Sequence, residues 1–433
     1  MALFCRPNLI IRRCHSFQSG RIDPLFFLEV HCAYMLAPVD ISLAEDRIAS
    51  YILKTPLVYS PTISKMTGYD VYLKLETLQK AGSFKIRGAA NAILSRKDSI
   101  GPGGVVAASA GNHAQGVAIA ARDTGLRATI VMPSGSSVAK QEATRSYGAE
   151  IVLAGKTLQD SVRYARMLED KGLFFVHPYD NHDVIAGAGT IGIEIQRDLN
   201  EIDAVIVPVG GGGLIAGIAT AIRGNGEDTR IIGVQAAACD AAYRAFTFES
   251  RELVTPKRSI ADGIAVPIIG KHTFPIIRAY VDEMHTVSEE EMTLAILLLI
   301  ERKRVIAEGA GSAALALLLS GRIAFPPGSR IVLVISGGNI DLSLLERVIH
   351  QAQIQRGRAI TIHVVIDDIP GSLARLLGII ADAEGNILDI AHKRDEKGLH
   401  PSEIKVEIEI ETRGVDHQQR IRSVLSDAGY SPG

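Results

Sequence analysis

The chain has no tryptophan and little cysteine. It has four cysteines in 433 residues, and three of them (Cys5, Cys14, Cys32) fall before residue 33, leaving Cys239 alone in the body. That scarcity excludes a disulfide scaffold. No CxxC pair occurs, so the spacing of a structural zinc cluster is missing and no metal is expected. Charge of one sign is lacking too: 46 Lys+Arg against 48 Asp+Glu leave a net charge of −2. Neither nucleic acid nor an anionic membrane surface is indicated as a partner. The most apolar runs, Leu294–Ile300 and Ala313–Leu319, fall far short of the ~18 residues a membrane span needs. What is present is ordinary for a folded globular protein: 47% hydrophobic and 22% charged residues, in a chain long enough for two or three domains.

Residues 1–36 differ from the rest. They carry Arg6, Arg12, Arg13 and Arg21, with Asp23 as the first acid. Such a stretch reads either as an organelle-targeting peptide or as a mis-assigned start ahead of Met35. The second reading is favoured, because Pro24–Met35 breaks an amphipathic pattern, and a cytoplasmic location is expected.

The body begins near Ile41. Ser42 and Glu45 have the spacing of a capping box before a helix over Asp46–Leu53. Short apolar runs then alternate with helical stretches. Val71–Leu75, Val105–Ala107, Ala128–Met132, Ile151–Leu153, Phe174–Val176, Ala204–Val209, Ile231–Val234 and Ile331–Ile335 read as strands. Several are continuous Val/Ile runs, the mark of parallel strands buried on both faces. Helices are expected at Ala114–Asp123, Leu158–Lys171 and Leu214–Arg223. The alternation predicts an open α/β fold with mainly parallel sheets, whose ligands sit at the carboxyl ends of strands. The catalytic part is expected over residues 37–350, followed by a polar linker at 351–358. From residue 359 to the end the order strand Ile360–Ile366, helix Ser372–Ala383, strand Ile387–Ala391, strand Ile404–Ile410 and helix Asp416–Ala428 suggests a ferredoxin-like β-α-β-β-α-β module.

Four segments could carry chemistry. Gly210, Gly211, Gly212, Gly213 and Leu214 follow an apolar strand and open a helix. Glycines there let backbone N–H groups approach an anion, and the helix dipole adds to the attraction, so a phosphate cradle is expected. This run is not GxGxxG with a downstream acid, nor GxxxxGK[ST]. Lys85 lies between Phe84 and Ile86 at a helix start, where apolar surroundings would ease loss of its proton. Ser109, Ala110, Gly111, Asn112 and His113 end a strand and begin a helix, a second anion site suited to a carboxylate. His113 could be a general base, though a structural role is the favoured reading. Ser336, with Gly337-Gly338-Asn339 behind it, can point into the sheet-end crevice. A phosphate cradle, a reactive lysine, a carboxylate pocket and a strand-end serine together suit a phosphorylated aldehyde cofactor.

On Gly82–Ala89, Ser109–Gly116, Pro208–Leu214 and Ser336–Asn339, the sequence resembles the pyridoxal-phosphate enzymes of fold type II, the tryptophan-synthase-β-like group. Within them it is similar to the threonine dehydratases, or threonine ammonia-lyases. The tail Ile360–Tyr430 resembles an ACT domain, with the turn Asp368-Ile369-Pro370-Gly371. The resemblance implies pyridoxal 5'-phosphate as cofactor and Lys85 as the catalytic lysine that joins its aldehyde. It implies Phe84 packed near the ring, Asn112 on the ring oxygen, Gly210–Leu214 on the phosphate and Ser336 at the ring nitrogen. The Ser109–His113 loop would take the substrate carboxylate. The Glu308–Ser312 turn would lie near the cofactor edge. It further implies an amino-acid substrate, a homo-oligomer (dimer or tetramer), and an effector such as isoleucine or valine near Asp368, Gly371, Gly385 and Asn386.

Two departures separate the chain from the similar serine racemases. Where those resemble one another in a second serine, this chain has Ala110, and where they place an acidic metal ligand it has Gln235, with Asp240 nearby. L-serine dehydratase, hydroxyaspartate ammonia-lyase and serine racemase are the alternatives of the same fold, the two departures favouring a dehydratase over the racemase. A non-catalytic amino-acid sensor would have lost Lys85. A Rossmann dehydrogenase would need GxGxxG and its acid, which are expected to be absent.

Overall fold

A computed structural model describes residues 36–394 and 398–433. The expectation for residues 1–36 therefore lies outside the described residues, apart from the buried Leu36. The chain divides into two units, one ending at Ile340 and one beginning at Asp341.

The first unit opens with α1 (Pro38–Ile48), β1 (Leu57–Tyr59), α2 (Pro61–Thr67) and β2 (Asp70–Leu75). Next come α3 (Lys85–Leu94), β3 (Val105–Ala108), α4 (Asn112–Thr124), β4 (Ala128–Met132), α5 (Val138–Ser146), β5 (Glu150–Leu153), α6 (Leu158–Glu169) and β6 (Phe174–Phe175). They are followed by α7 (His182–Asp198), β7 (Ala204–Pro208), α8 (Gly213–Gly224), β8 (Arg230–Ala236), α9 (Ala241–Phe248) and α10 (Thr273–Tyr280). β9 (Glu283–Val287), α11 (Glu289–Lys303), α12 (Gly309–Leu319) and β10 (Arg330–Ile335) complete the unit.

Six strands form one sheet in the order β1-β2-β10-β7-β8-β9, parallel except for the β1–β2 pair. A second, wholly parallel sheet has the order β5-β4-β3-β6. The predicted parallel pairing has a direct physical counterpart in β7. Val205 and Val207 pack into a core with α7 and α8, while Ala204 and Ile206 pack into another with α11 and α12. A strand buried on both faces has no polar alternation to show.

Three expectations for this unit are corrected. The first helix is Pro38–Ile48, and Ser42 lies inside it; Pro38 takes the first-turn position that suits proline, and the Asp40 carboxylate accepts from the Ala37 N–H at 2.9 Å. β1 and β9 are additional strands, short and partly polar. A GxGxxG spacing does occur, at Gly187, Gly189 and Gly192, within α7 rather than at a strand–helix turn. A Cβ at Gly187 would stand 2.4 Å from the Arg87 carbonyl oxygen, and one at Gly189 2.8 Å from that of Gly217. These glycines let α3 and α8 cross α7 closely and do not cradle a dinucleotide.

The second unit comprises α13 (Leu342–Gln355), β11 (Ala359–Asp367), α14 (Ser372–Asp382), β12 (Asn386–Lys393), β13 (Glu403–Glu411) and α15 (Val415–Asp427). Residues 351–355 of the expected linker are thus the end of a helix. The three strands make an antiparallel sheet, β11-β13-β12. Alternate residues of β13 (Ile404, Val406, Ile408, Ile410) pack under α14 and α15. The last strand of the expected β-α-β-β-α-β order does not form among the described residues. Its place beside β11 holds only the chain end, where Gly433 and His363 exchange backbone hydrogen bonds (2.9 and 3.3 Å).

Candidate active site

Lys85 is the first residue of α3, and its backbone is tied to the end of β10. The Phe84 N–H donates to the Ser336 carbonyl (3.1 Å), Ser83 bridges Gly337, and the Gly338 N–H donates to the Gly82 carbonyl (2.9 Å). Gly82 has φ +66°, and a Cβ there would strike the Asn339 side chain, so only glycine serves this turn. The Lys85 ammonium donates to the Pro178 carbonyl (2.9 Å) and lies 5.1 Å from the centre of the Phe84 ring. Burial lowers its pKa from 10.5 to about 8, against the opposing pull of Glu308.

The segment that holds the Lys85 amine also shapes the glycine turn. Tyr179 follows Pro178, and a Cβ on Gly211 would lie 2.3 Å from its ring; one on Gly213 would lie 2.9 Å from its carbonyl oxygen. Gly210 is pressed by Val266 and Ile264, and Gly212, at φ +95°, by Ile277 and Thr273. The Thr273 hydroxyl and the Gly270 N–H both donate to the Gly211 carbonyl (2.7 and 3.0 Å). With that carbonyl engaged, the first N–H groups of α8, which have no partner within the helix, lie at this turn, and Leu214 is buried. Burial pushes the Tyr179 phenol up to about 12, so it stays protonated.

Ser109, Ala110, Gly111 and Asn112 are half-buried between β3 and α4. The Gly111 N–H bonds the Ser109 hydroxyl (3.2 Å). Asn112 donates to the Glu308 carboxyl (2.7 Å) and accepts from Asn339 (2.7 Å). His113 turns the other way. Its Nε2 pairs with the Val176 carbonyl (2.9 Å), and burial lowers its pKa to about 3. A neutral ring held by backbone suits the structural reading of His113. Ser336, directly after β10, is buried.

Behind α3 lies a network of buried charge. Arg87 donates to Glu76 (2.8 Å from each of two nitrogens) and to Glu194 (2.6 and 3.0 Å), and Lys74 donates to Glu194 (2.5 Å) and to the Thr55 carbonyl (2.7 Å). Burial opposes the charge on Arg87, but Glu76 and Glu194 outweigh it and its pKa rises. The network balances two cations with two anions and fixes the helix that carries Lys85.

Among the described residues no cluster of His, Cys, Asp or Glu could hold a metal. Gln235 accepts from the Ala242 and Tyr243 N–H groups (2.8 and 3.2 Å) at the start of α9, and Asp240 is paired with Arg244 (2.9 Å). No helix among the described residues is long and apolar enough to cross a membrane.

In the second unit, Asp368 and Gly371 line a cavity of about 340 Å³, together with Asp367, Leu373, His392 and Ile404. Gly385 and Asn386 are not brought to it within one chain. Asn386 pairs with Glu411, at the far end of β13 from Glu403, roughly 27 Å away at the usual rise per residue.

Pro178 and Tyr179 carry no signal in the sequence, and Asn339 enters there only as the end of the Ser336–Asn339 segment, with no role assigned to it. They act through a carbonyl, a ring face and an amide belonging to segments far apart in the chain, which no local pattern marks.

The family model for pyridoxal-phosphate-dependent enzymes matches residues 48–337. An L-threonine ammonia-lyase from Thermotoga maritima is 42% identical over 397 residues, 92% of this chain and 98% of that protein. That span is longer than the first unit, so it reaches into the second. Among solved structures, the processed form of tomato (Solanum lycopersicum) threonine deaminase isoform 2 is 36% identical with a TM-score of 0.68, covering 75% of this chain and 89% of that one. Maize serine racemase is 31% identical with a TM-score of 0.70, covering 74% of this chain and 99% of its own. The residues fit the cofactor of this family. A lysine of lowered pKa is held by the Pro178 carbonyl, and the next residue, Tyr179, packs on a turn whose four glycines leave no room for a Cβ at the start of a helix.

Proposed function

The chain belongs to the pyridoxal-phosphate-dependent enzymes of fold type II and uses pyridoxal 5'-phosphate, and from this premise we propose that it is an L-threonine ammonia-lyase, converting L-threonine to 2-oxobutanoate and ammonia. The observation that carries the reading is the match to L-threonine ammonia-lyases along both units, joined to the placement of Lys85. Bound, the cofactor supplies an electron sink for the charge that develops at the substrate Cα.

In this reading Lys85 would be the residue that holds the cofactor by its aldehyde, and its amine, once free, would serve as the base at the substrate Cα. An amine with a pKa near 8 then takes the Cα proton readily near neutral pH. Gly210–Leu214 receive the phosphate through backbone N–H groups and the start of α8. Ser109–Asn112 receive the substrate carboxylate, and Asn112 bonds the ring oxygen. Phe84 packs near the ring. Ser336 would stand at the ring nitrogen with a hydroxyl, which would not keep that nitrogen protonated as a carboxylate would, so loss of the β-hydroxyl would be favoured over transamination. The substrate β-hydroxyl would leave as water with the proton that Lys85 takes from Cα. The released enamine becomes an imine and hydrolyses in water to the 2-oxo acid and ammonia.

L-Serine is expected to be a weaker substrate, since a methyl group in a pocket contributes only ~1–3 kcal/mol. Serine racemisation is the second reading, prompted by the likeness to maize serine racemase; Ala110 has no group to move a proton on the opposite face. The cavity at Asp368 and Gly371 suits an amino-acid effector such as isoleucine or valine, acting in a homo-oligomer. Purified protein with L-threonine should yield 2-oxobutanoate, and Lys85→Ala should yield none. Wild-type protein that binds the cofactor and makes only D-serine from L-serine would shift the assignment to racemase.

A further inference from the structure

Glu308 stands at the N-cap of α12, where a side-chain oxygen can accept from the first helical N–H groups. Here it makes no such bond. Its backbone N–H donates to the Gly337 carbonyl (3.1 Å), and its buried carboxyl turns away from its own helix to accept from Asn112 (2.7 Å). The carboxyl lies against Gly337, where a Cβ would approach it to 2.7 Å. An acid that gives up its helix to meet one amide has been placed for that amide.

The other side of Asn112 is fixed as tightly. The Asn339 amide nitrogen donates to the Ala81 carbonyl and to the Asn112 side-chain oxygen, both at 2.7 Å. Those two close acceptors take its two N–H bonds, with the Gln115 side-chain oxygen a longer third acceptor at 3.3 Å, and all three set its orientation. The Asn112 oxygen must therefore face Asn339 and its nitrogen must face Glu308. One N–H of Asn112 is spent on Glu308, leaving a single N–H, in a determined direction, for a ligand.

We propose that Glu308 is a positioning residue: together with Asn339 it locks the Asn112 amide so that an N–H, and not the carbonyl oxygen, is presented to the oxygen on the cofactor ring. The proposal rests on the reading that places Asn112 at that oxygen. Burial, with the charge of Asp262, raises the Glu308 pKa to about 8 against the opposing influence of Asn112, Lys140 and Lys85. The carboxyl is thus mainly uncharged at neutral pH. It accepts from Asn112 without setting a negative charge beside Lys85, whose amine must lose its proton to react.

The test compares Glu308→Gln, Glu308→Ala, Asn339→Ala, Asn112→Ala and the double variant Glu308→Ala/Asn112→Ala. The readouts are the dissociation constant of pyridoxal 5'-phosphate from the apo-protein and the wavelength of its bound visible absorbance. Glu308→Gln keeps an acceptor oxygen and no charge, and should match wild type in both. Glu308→Ala and Asn339→Ala should each weaken cofactor binding about tenfold, the worth of one hydrogen bond to a buried group, and shift the absorbance. The double variant should be no worse than Asn112→Ala alone. A merely structural Glu308 would lower the melting temperature, leave the absorbance of the bound cofactor unchanged and give additive losses, and that result overturns the proposal. If Asn112→Ala loses affinity while Glu308→Ala does not, only the role of Glu308 falls. If Asn112→Ala is silent, the placement of Asn112 falls and this proposal with it. Should Glu308→Ala not fold, Asn339→Ala tests the same relay from its other end, and wild-type affinity and absorbance there contradict it.

Discussion

Lys74 and Lys85 are both taken from water by the same unit, and they end in opposite circumstances. Lys74 lies in β2 with its amine against Glu194 at 2.5 Å. Burial pulls its pKa down, and Glu194 and Glu76 push it back. Lys85 has a carbonyl for its partner and no carboxylate in contact. Glu308, the acid that acts on it, has its own carboxyl pushed up to about 8 by burial. Burial alone does not make a lysine reactive. Burial with a neutralising anion makes structure, and burial without one makes a base and nucleophile.

The comparison can be broken at several points. The largest effect should come from Lys85→Ala, which removes an amine with no ion pair to lose. Thermal melting should stay near wild type while 2-oxobutanoate formation falls by at least about a thousandfold. Arg87→Met should do the reverse. It leaves Glu76 and Glu194 buried with Lys74 as their only cation, at a cost of about 3–5 kcal/mol. Denaturation of the variant should show this directly, and a melt within a degree or two of wild type would mean that the network is dispensable. Gly211→Ala adds a Cβ 2.3 Å from the Tyr179 ring. Overpacking of this kind costs about 1–3 kcal/mol, and the turn must move to relieve it, so titration of the apo-protein should show weaker cofactor binding. The smallest effect is one of pH. The unprotonated amine is the reacting form, so the rate of cofactor uptake should rise with pH and level off through a midpoint of about 8, not 10.5. A midpoint above 10 would mean that Lys85 is not desolvated.

Much of this was legible in the sequence. Strands such as Ala128–Met132 and Ile331–Ile335 announce themselves, because a strand buried on both faces is a plain Val/Ile run. The glycine turn, Lys85, Asn112 and Ser336 stand at strand or helix ends, where local chemistry marks them. Helix α7 was hidden. Gly187, Gly189 and Gly192 weaken its helical signal, and only its crossings with α3 and α8 explain why they are there. The first helix begins at Pro38, ahead of the Ser42–Glu45 spacing, because proline suits the first turn and the capping-box spacing recurs inside the helix without capping it. In the second unit the last expected strand reduces to a pair of bonds at Gly433. The Pro178–Lys85 and Asn339–Asn112 contacts join segments 93 and 227 residues apart, and no local spacing records them.

The most direct measurement is to load the protein with pyridoxal 5'-phosphate, reduce the attachment with borohydride, and locate the cofactor by peptide mass spectrometry. The account predicts one adduct, on the peptide carrying Lys85, and an unmodified Lys74. An adduct on any other lysine, with Lys85 unmodified, would contradict it.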